Sequence, residues 1–161
     1  MANRKVHVVT LEGNRITGNV NSNAIVEALT EYFKGFSGIE NDKIFVDFLK
    51  EKGRSFSIVP SPIKPVSQHY IDDSYEKQFS FSFVARFNYS HEKAMNIANS
   101  TFFEDLEEWL IYNNDHDILP QLKGYKPISI EITSNGYLLG VSQDGKTGQY
   151  EIRCLLIYEK E

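Results

Sequence analysis

Residues 79–89 read Phe79-Ser80-Phe81-Ser82-Phe83-Val84-Ala85-Arg86-Phe87-Asn88-Tyr89. Every odd position is apolar. The even positions are polar except Val84. A period of two predicts a half-buried antiparallel strand with its odd positions inward. Full burial of one such side chain is worth roughly 1.5–3 kcal/mol before the cost of ordering it. This stretch is therefore expected to be the spine of the core.

Downstream, Ser90 is an N-cap residue for a helix to about Asn99. Thr101-Phe102-Phe103-Glu104 matches a capping box, which predicts that a second helix starts there, with Phe102, Leu106, Trp109 and Leu110 as its inner stripe. Pro120 closes the region. Three strands follow, at 128–133, 137–141 and 149–158, with turns at Asn135-Gly136 and Asp144-Gly145. In the last strand Tyr150, Ile152, Cys154, Leu156 and Tyr158 share one face. Leu155 and Ile157 on the other face imply that its far end is covered on both sides.

Upstream, Pro60, Pro62 and Pro65 exclude a helix or a central strand over 60–77. Asp72-Asp73-Ser74 is turn-prone. The segment reads as a loop, long for a compact domain and of the kind that carries function. Before it, Phe56 and Ile58 alternate with serines. Asn21-Ser22-Asn23 caps a helix with Ile25, Val26, Leu29, Phe33 and Phe36 at helical spacing, ended by Gly35 and Gly38. Ile44, Phe45, Phe48 and Leu49 predict a second helix over 43–51. Residues 1–20 alternate loosely; that fits a hairpin turning near Gly13 and equally an extended arm, and we favour the hairpin. The order of elements predicts an α+β fold: a mainly antiparallel four- to five-stranded sheet with helices packed on it, in one domain spanning 1–161.

The 161 residues suffice for a core without covalent staples. Charged residues are 24% and the formal net charge is -5, which disfavours a general nucleic-acid-binding role. Aromatics reach 13%, and their regular spacing on a strand face points to core rather than base stacking. One cysteine excludes an intrachain disulfide. No apolar run approaches the ~18 residues of a membrane helix, and the N-terminus lacks a signal-peptide pattern. A soluble intracellular protein is expected.

Candidate chemistry is sparse. His116 between Asp115 and Asp117 offers metal-ligand types, but three adjacent residues do not converge on one ion without a special turn. Cys154 alternates with apolar neighbours, as a buried small hydrophobe does. His7, His69 and His91 are isolated. Gly145-Lys146-Thr147 lacks the earlier glycine of a P-loop. No catalytic, cofactor-binding or metal-binding residue is therefore assigned. Two surfaces are. Ile63, Pro65, Val66, Tyr70, Ile71 and Tyr75 place more apolar groups in the 61–76 loop than water contact explains, so we expect a subunit interface there. Glu104, Asp105, Glu107 and Glu108, followed by Asp115 and Asp117 with no Lys or Arg between, make an acidic face. It is either solvated near a helix N-terminus or presented to a basic partner.

Residues 56–158 also carry ordered blocks: Phe56-Ser57-Ile58-Val59-Pro60, Pro65, Tyr70-Ile71-Asp72, Gln78-Phe79-Ser80-Phe81, Ala85-Arg86, the aromatic helix 102–109 and Leu119-Pro120. Ser129-Ile130-Glu131, Thr133-Ser134, Gly136-Tyr137-Leu138 and Tyr150-Glu151-Ile152-Arg153-Cys154 complete them. In this order the chain resembles the tailed-phage minor capsid or tail-terminator proteins found in prophages of low-GC Gram-positive bacteria. It departs from them at Asp73 (Gly in the family), Ser80 (Pro) and Asn135, which has no counterpart, and the resemblance does not reach 1–20.

The resemblance implies a non-enzymatic virion protein of the tail or neck, without cofactors, assembled in the host cytoplasm. It would form a six-fold homo-oligomeric ring on the tail-tube protein, stop tube polymerisation and meet the head-tail connector protein. No membrane or sequence-specific nucleic acid would be a partner. A head-completion or connector protein is the alternative within phage structure. A small-ligand-binding or enzymatic α+β domain is the alternative outside it.

Overall fold

The computed structural model describes residues 5–9, 15–19, 22–39, 43–47, 49, 54–90 and 92–160. In chain order the elements are β1 (Lys5–Val9), β2 (Arg15–Asn19), α1 (Ser22–Phe33), β3 (Ile44–Val46), β4 (Ser55–Ser61), β5 (Val66–His69), β6 (Tyr75–Asn88), α2 (Lys93–Asp115), β7 (Tyr125–Val141) and β8 (Thr147–Lys160). β1 and β2 pair antiparallel as a two-stranded ribbon. The expected turn near Gly13 lies outside the described residues. The other strands form a six-stranded sheet in the order β3-β4-β6-β8-β7, with β5 also on β6. Only the β3–β4 pair is parallel. The class is α+β, with six strands in the main sheet among the described residues rather than four or five.

The 79–89 alternation lies within β6, which begins earlier, at Tyr75. Phe81, Phe83, Ala85 and Phe87 are buried on one face, beside Phe56 and Ile58 of β4 and Ile152, Cys154 and Leu156 of β8. Both helices cover this face through aromatic contacts. The Phe33 ring stacks 5.0 Å from Phe83, and Phe102 lies 5.4 Å from Phe56 and 5.0 Å from Phe87. Such pairs add about 0.5–1.5 kcal/mol each beyond area burial. The high aromatic content is thus largely core. Arg54 seals one edge of it, its guanidinium carbon 5.0 Å from the Phe56 ring centroid and 5.5 Å from that of Phe87. On the opposite face Ser55, Ser57, Ser82, Val84 and Glu151 are also buried, which a one-sided alternation does not foretell.

Four local expectations are corrected. First, 44–46 is a strand, paired with residues 56–58 of β4, where a helix was expected. Ile-Phe-Val is a β-branched and aromatic run, and Asp47 at φ 62° leaves the strand in left-handed geometry. Residues 48, 50 and 51 of that expected helix lie outside the described residues.

Second, 60–77 is not one loop. β4 runs through Pro60 to Ser61, and β5 pairs with the start of β6. Pro60 is tolerated because only residues 56–58 of β4 have a partner on its other side, leaving Pro60 at an edge.

Third, α2 is a single helix of 23 residues. Thr101 does not cap; its hydroxyl donates to the Ile97 carbonyl one turn back, at 3.0 Å. Ser90 acts before the helix instead. Its Oγ accepts from the Glu92 amide at 3.1 Å, and its carbonyl accepts from Asn96 Nδ2 at 3.0 Å. The inner stripe is Phe103, Leu106 and Leu110, with Trp109 half-buried against Tyr32 and Phe33 of α1 and Phe102 half-buried against Phe36 and the sheet.

Fourth, β7 is one strand of 17 residues with register shifts near Ser134, Tyr137 and Gly140, and Asn135-Gly136 is no hairpin turn. A Cβ at Gly136 would lie 2.5 Å from Cβ and Cγ of Phe103. The glycine lets helix α2 approach the strand and does not supply positive φ. The Asp144-Gly145 turn does form, with Gly145 at φ 71°. No helix among the described residues is long and apolar enough to cross a membrane.

Candidate functional site

β4 and β5 line the same side of β6, offset by the Pro62–Pro65 crossing. Gln78 holds that crossing: its amide donates to the Pro65 carbonyl at 2.9 Å and its Nε2 to the Lys64 carbonyl at 2.8 Å. From there β5 and β6 form a hairpin closed by residues 70–74. The Tyr70 amide donates to the Ser74 carbonyl at 2.8 Å, and the Ser74 amide to Asp72 Oδ1 at 3.1 Å. The Ser74 hydroxyl and then its amide hold the Asp72 carboxyl below the usual carboxylate range. Asp73 takes the left-handed conformation, φ 66°, that asparagine and aspartate tolerate. Glu76 braces the hairpin by accepting from Ser67 Oγ at 2.7 Å and from the Tyr70 hydroxyl at 3.4 Å.

The braced hairpin carries four of the six residues expected at a subunit interface, Val66, Tyr70, Ile71 and Tyr75, while Ile63 and Pro65 lie in the crossing before it. Ile71 at its tip is fully exposed (106%), and Tyr70 and Ile63 remain 39% and 42% exposed. Pro65 is exposed, whereas Val66 and Tyr75 are half-buried in the β5–β6 pair. The bend-forming residues fix a firm support for an apolar tip.

The acidic residues separate. Glu104, Asp105 and Glu108 are exposed on α2. Glu107 turns to β7, where its Oε1 accepts from the Gly136 amide at 3.3 Å. His116 stacks on Tyr112 with ring centroids 3.9 Å apart, and its Nδ1 lies 2.8 Å from the Tyr112 carbonyl. Among the described residues no three His, Cys, Asp or Glu side chains converge as a metal site requires. Burial, then the charge of Glu107, push the Cys154 thiol up to about 12. The nucleophilic thiolate is therefore not accessible near neutral pH.

Two arrangements escape sequence reading. A buried carboxylate, Glu151, accepts from Ser82 Oγ, from the Tyr137 hydroxyl at 3.1 Å and from Arg153 Nε at 3.3 Å. Burial alone would raise its pKa, but these bonds outweigh burial and hold it below the usual range. At the end of the sheet away from the hairpin tip, a cleft of about 310 Å³ is lined by Tyr89, Asn96, Ser100, Phe103, Gly136, Tyr137, Leu138 and Tyr150. Gly148 lies against it: a Cβ there would sit 3.1–3.3 Å from Tyr89, Leu138 and Tyr150. The available signal was one glycine, Gly148, opposite Phe87 of β6.

Compared with known proteins, the chain matches no family model. A comparison with curated proteins gives no significant match.

Proposed function

We propose that this chain is a structural protein of a tailed phage, with a tail-terminator-like fold. It caps the tail tube as a homo-oligomeric ring, six-fold as the resemblance implies. The ring ends tube polymerisation and joins the tail to the head connector. The observation that carries this reading is the β5–β6 hairpin: a braced arm that holds two adjacent apolar side chains, Tyr70 and Ile71, exposed together at its tip, as an interaction surface does. The ordered blocks over 56–158 supply the kind of assembly.

A heterologous contact, in which one surface of each copy meets a different surface of the next, closes into a ring when the rotation allows. The test is Ile63→Ser with Tyr70→Ser, followed by light scattering and thermal unfolding. Loss of the oligomer with the monomer fold intact supports the reading. An unchanged oligomer removes the hairpin from the interface. A collapsed fold means that the hairpin packs on its own domain.

A further inference from the structure

The main sheet has one stretch of open edge. Helix α2 closes the outer edge of β7 at Ile130 and, through Glu107, at Gly136. Beyond that clasp Leu138, Leu139 and Val141 are exposed, with Gly140 between them. Among the described residues no strand pairs with that side of β7. Protein edges are usually blunted by proline, lysine or an inward charge, and Tyr137-Leu138-Leu139-Gly140-Val141 has none of these. It is a template for an added strand.

The chain also holds two strands outside that sheet. Among the described residues β1 and β2 pair only with each other. A two-stranded ribbon is marginal on its own in water and is stabilised by a third strand. Each strand of the ribbon is five residues long, which matches the open stretch from Tyr137 to the end of β7 at Val141.

Charge favours the same pairing. Residues 1–20 carry Arg4, Lys5 and Arg15 against one acid, Glu12. α2 runs antiparallel to β7, since Asn114 meets Ile130 and Glu107 meets Gly136. Glu104, one turn before Glu107, therefore lies towards the open stretch, and Glu108 is next to it on the helix surface. No Lys or Arg occurs from 94 to 122. The other charges nearby offset one another: Lys93 beside Glu92, Lys146 beside Asp144, and Arg153 on Glu151.

Within one copy the ribbon cannot lie along this edge. α1 and α2 are antiparallel, with Phe36 packed on Phe102 and Tyr32 bonded to Asn113. At 1.5 Å per residue, Ser22 lies about 15 Å beyond the level of Asn113, and Glu107 about 9 Å to its other side. Only residues 20–21 separate the ribbon from α1, and the step from Asn19 to Ser22 spans at most ~11 Å. The edge of another copy is under no such limit.

We infer that the β1–β2 ribbon of one copy adds to the open β7 edge of the next, so that the sheet continues across the subunit boundary and the basic ribbon meets the side of Glu104 and Glu108. The inference rests on the ring reading and deepens it: ribbon and edge are different surfaces, so the contact is heterologous, as ring closure requires.

Hydrogen exchange on the assembled full chain tests this without substitution. The amides of 137–141 that β8 leaves free are expected to exchange at least about tenfold more slowly than unprotected amides, together with those of the ribbon. Lys5→Glu with Arg15→Glu should remove that protection and weaken the assembly. Adding Glu104→Lys with Glu108→Lys should restore both, with folding verified by circular dichroism. Unprotected edge amides in the wild-type assembly, or protection that the first pair of substitutions leaves unchanged, would overturn the inference. A ring that forms with its edge amides unprotected overturns it and leaves the ring reading standing. A chain that never self-associates removes both.

Discussion

The side-chain amide of Asn114 bonds both backbone polar groups of Ile130. Its Nδ2 donates to the Ile130 carbonyl at 2.6 Å, and its Oδ1 accepts from the Ile130 amide at 3.0 Å. β7 is the last strand of the sheet, and among the described residues no strand pairs with its outer edge there. An open edge invites pairing with other chains. Helix α2 closes it twice, through Asn114 at Ile130 and through Glu107 at the Gly136 amide.

Asn114→Ala should therefore destabilise the fold by about 1–3 kcal/mol, because Ile130 is buried and its amide and carbonyl lose these partners. Urea unfolding measures this. A loss under about 0.3 kcal/mol would show that water replaces the clasp without penalty.

Phe81→Ala should cost roughly 3–5 kcal/mol. Its side chain is fully buried, with its ring 5.9 Å from that of Phe33. A loss below about 1 kcal/mol would mean that the inward face of β6 is misassigned.

Gly136→Ala separates a turn glycine from a packing glycine. The new methyl meets the root of Phe103, not the far end of its ring, so strand or helix must shift. Overpacking of this kind costs about 1–3 kcal/mol. Retained stability in thermal unfolding would contradict the close approach of α2 to β7.

Glu151 should shape the acid limb of the stability curve. Its folded-state pKa is depressed, so the folded protein binds this proton less readily than the unfolded chain does. Its contribution is complete above the ordinary value of 4.5 and is lost as pH falls through the lower folded value. Between neutral pH and the acid range, wild type should lose more stability than Glu151→Gln. Parallel curves for the two proteins would show that the bonds from Ser82, Tyr137 and Arg153 do not favour the ionised form.

Much of the sheet was legible because β6 and β8 alternate over many residues, and a long period of two has few other readings. Short runs were not. Ile44 and Phe45 suit either period, and the parallel partner that decides for a strand is distant in sequence. Thr101-x-x-Glu104 and Asn135-Gly136 carried the right local signals, but burial of Phe103 and Leu106 along an unbroken helix overrode both. The apolar tip was visible as composition. The cleft was not, because Tyr89, Asn96, Leu138 and Tyr150 meet only when β6, α2, β7 and β8 are assembled.

The most direct test of the ring is electron cryomicroscopy of the purified full chain, with native mass measured on the same sample. A closed ring of identical copies around an open lumen, with the β5–β6 hairpin of each copy on its neighbour, is the expected result. A chain that stays monomeric at every concentration, or a two-fold dimer without a lumen, would contradict it.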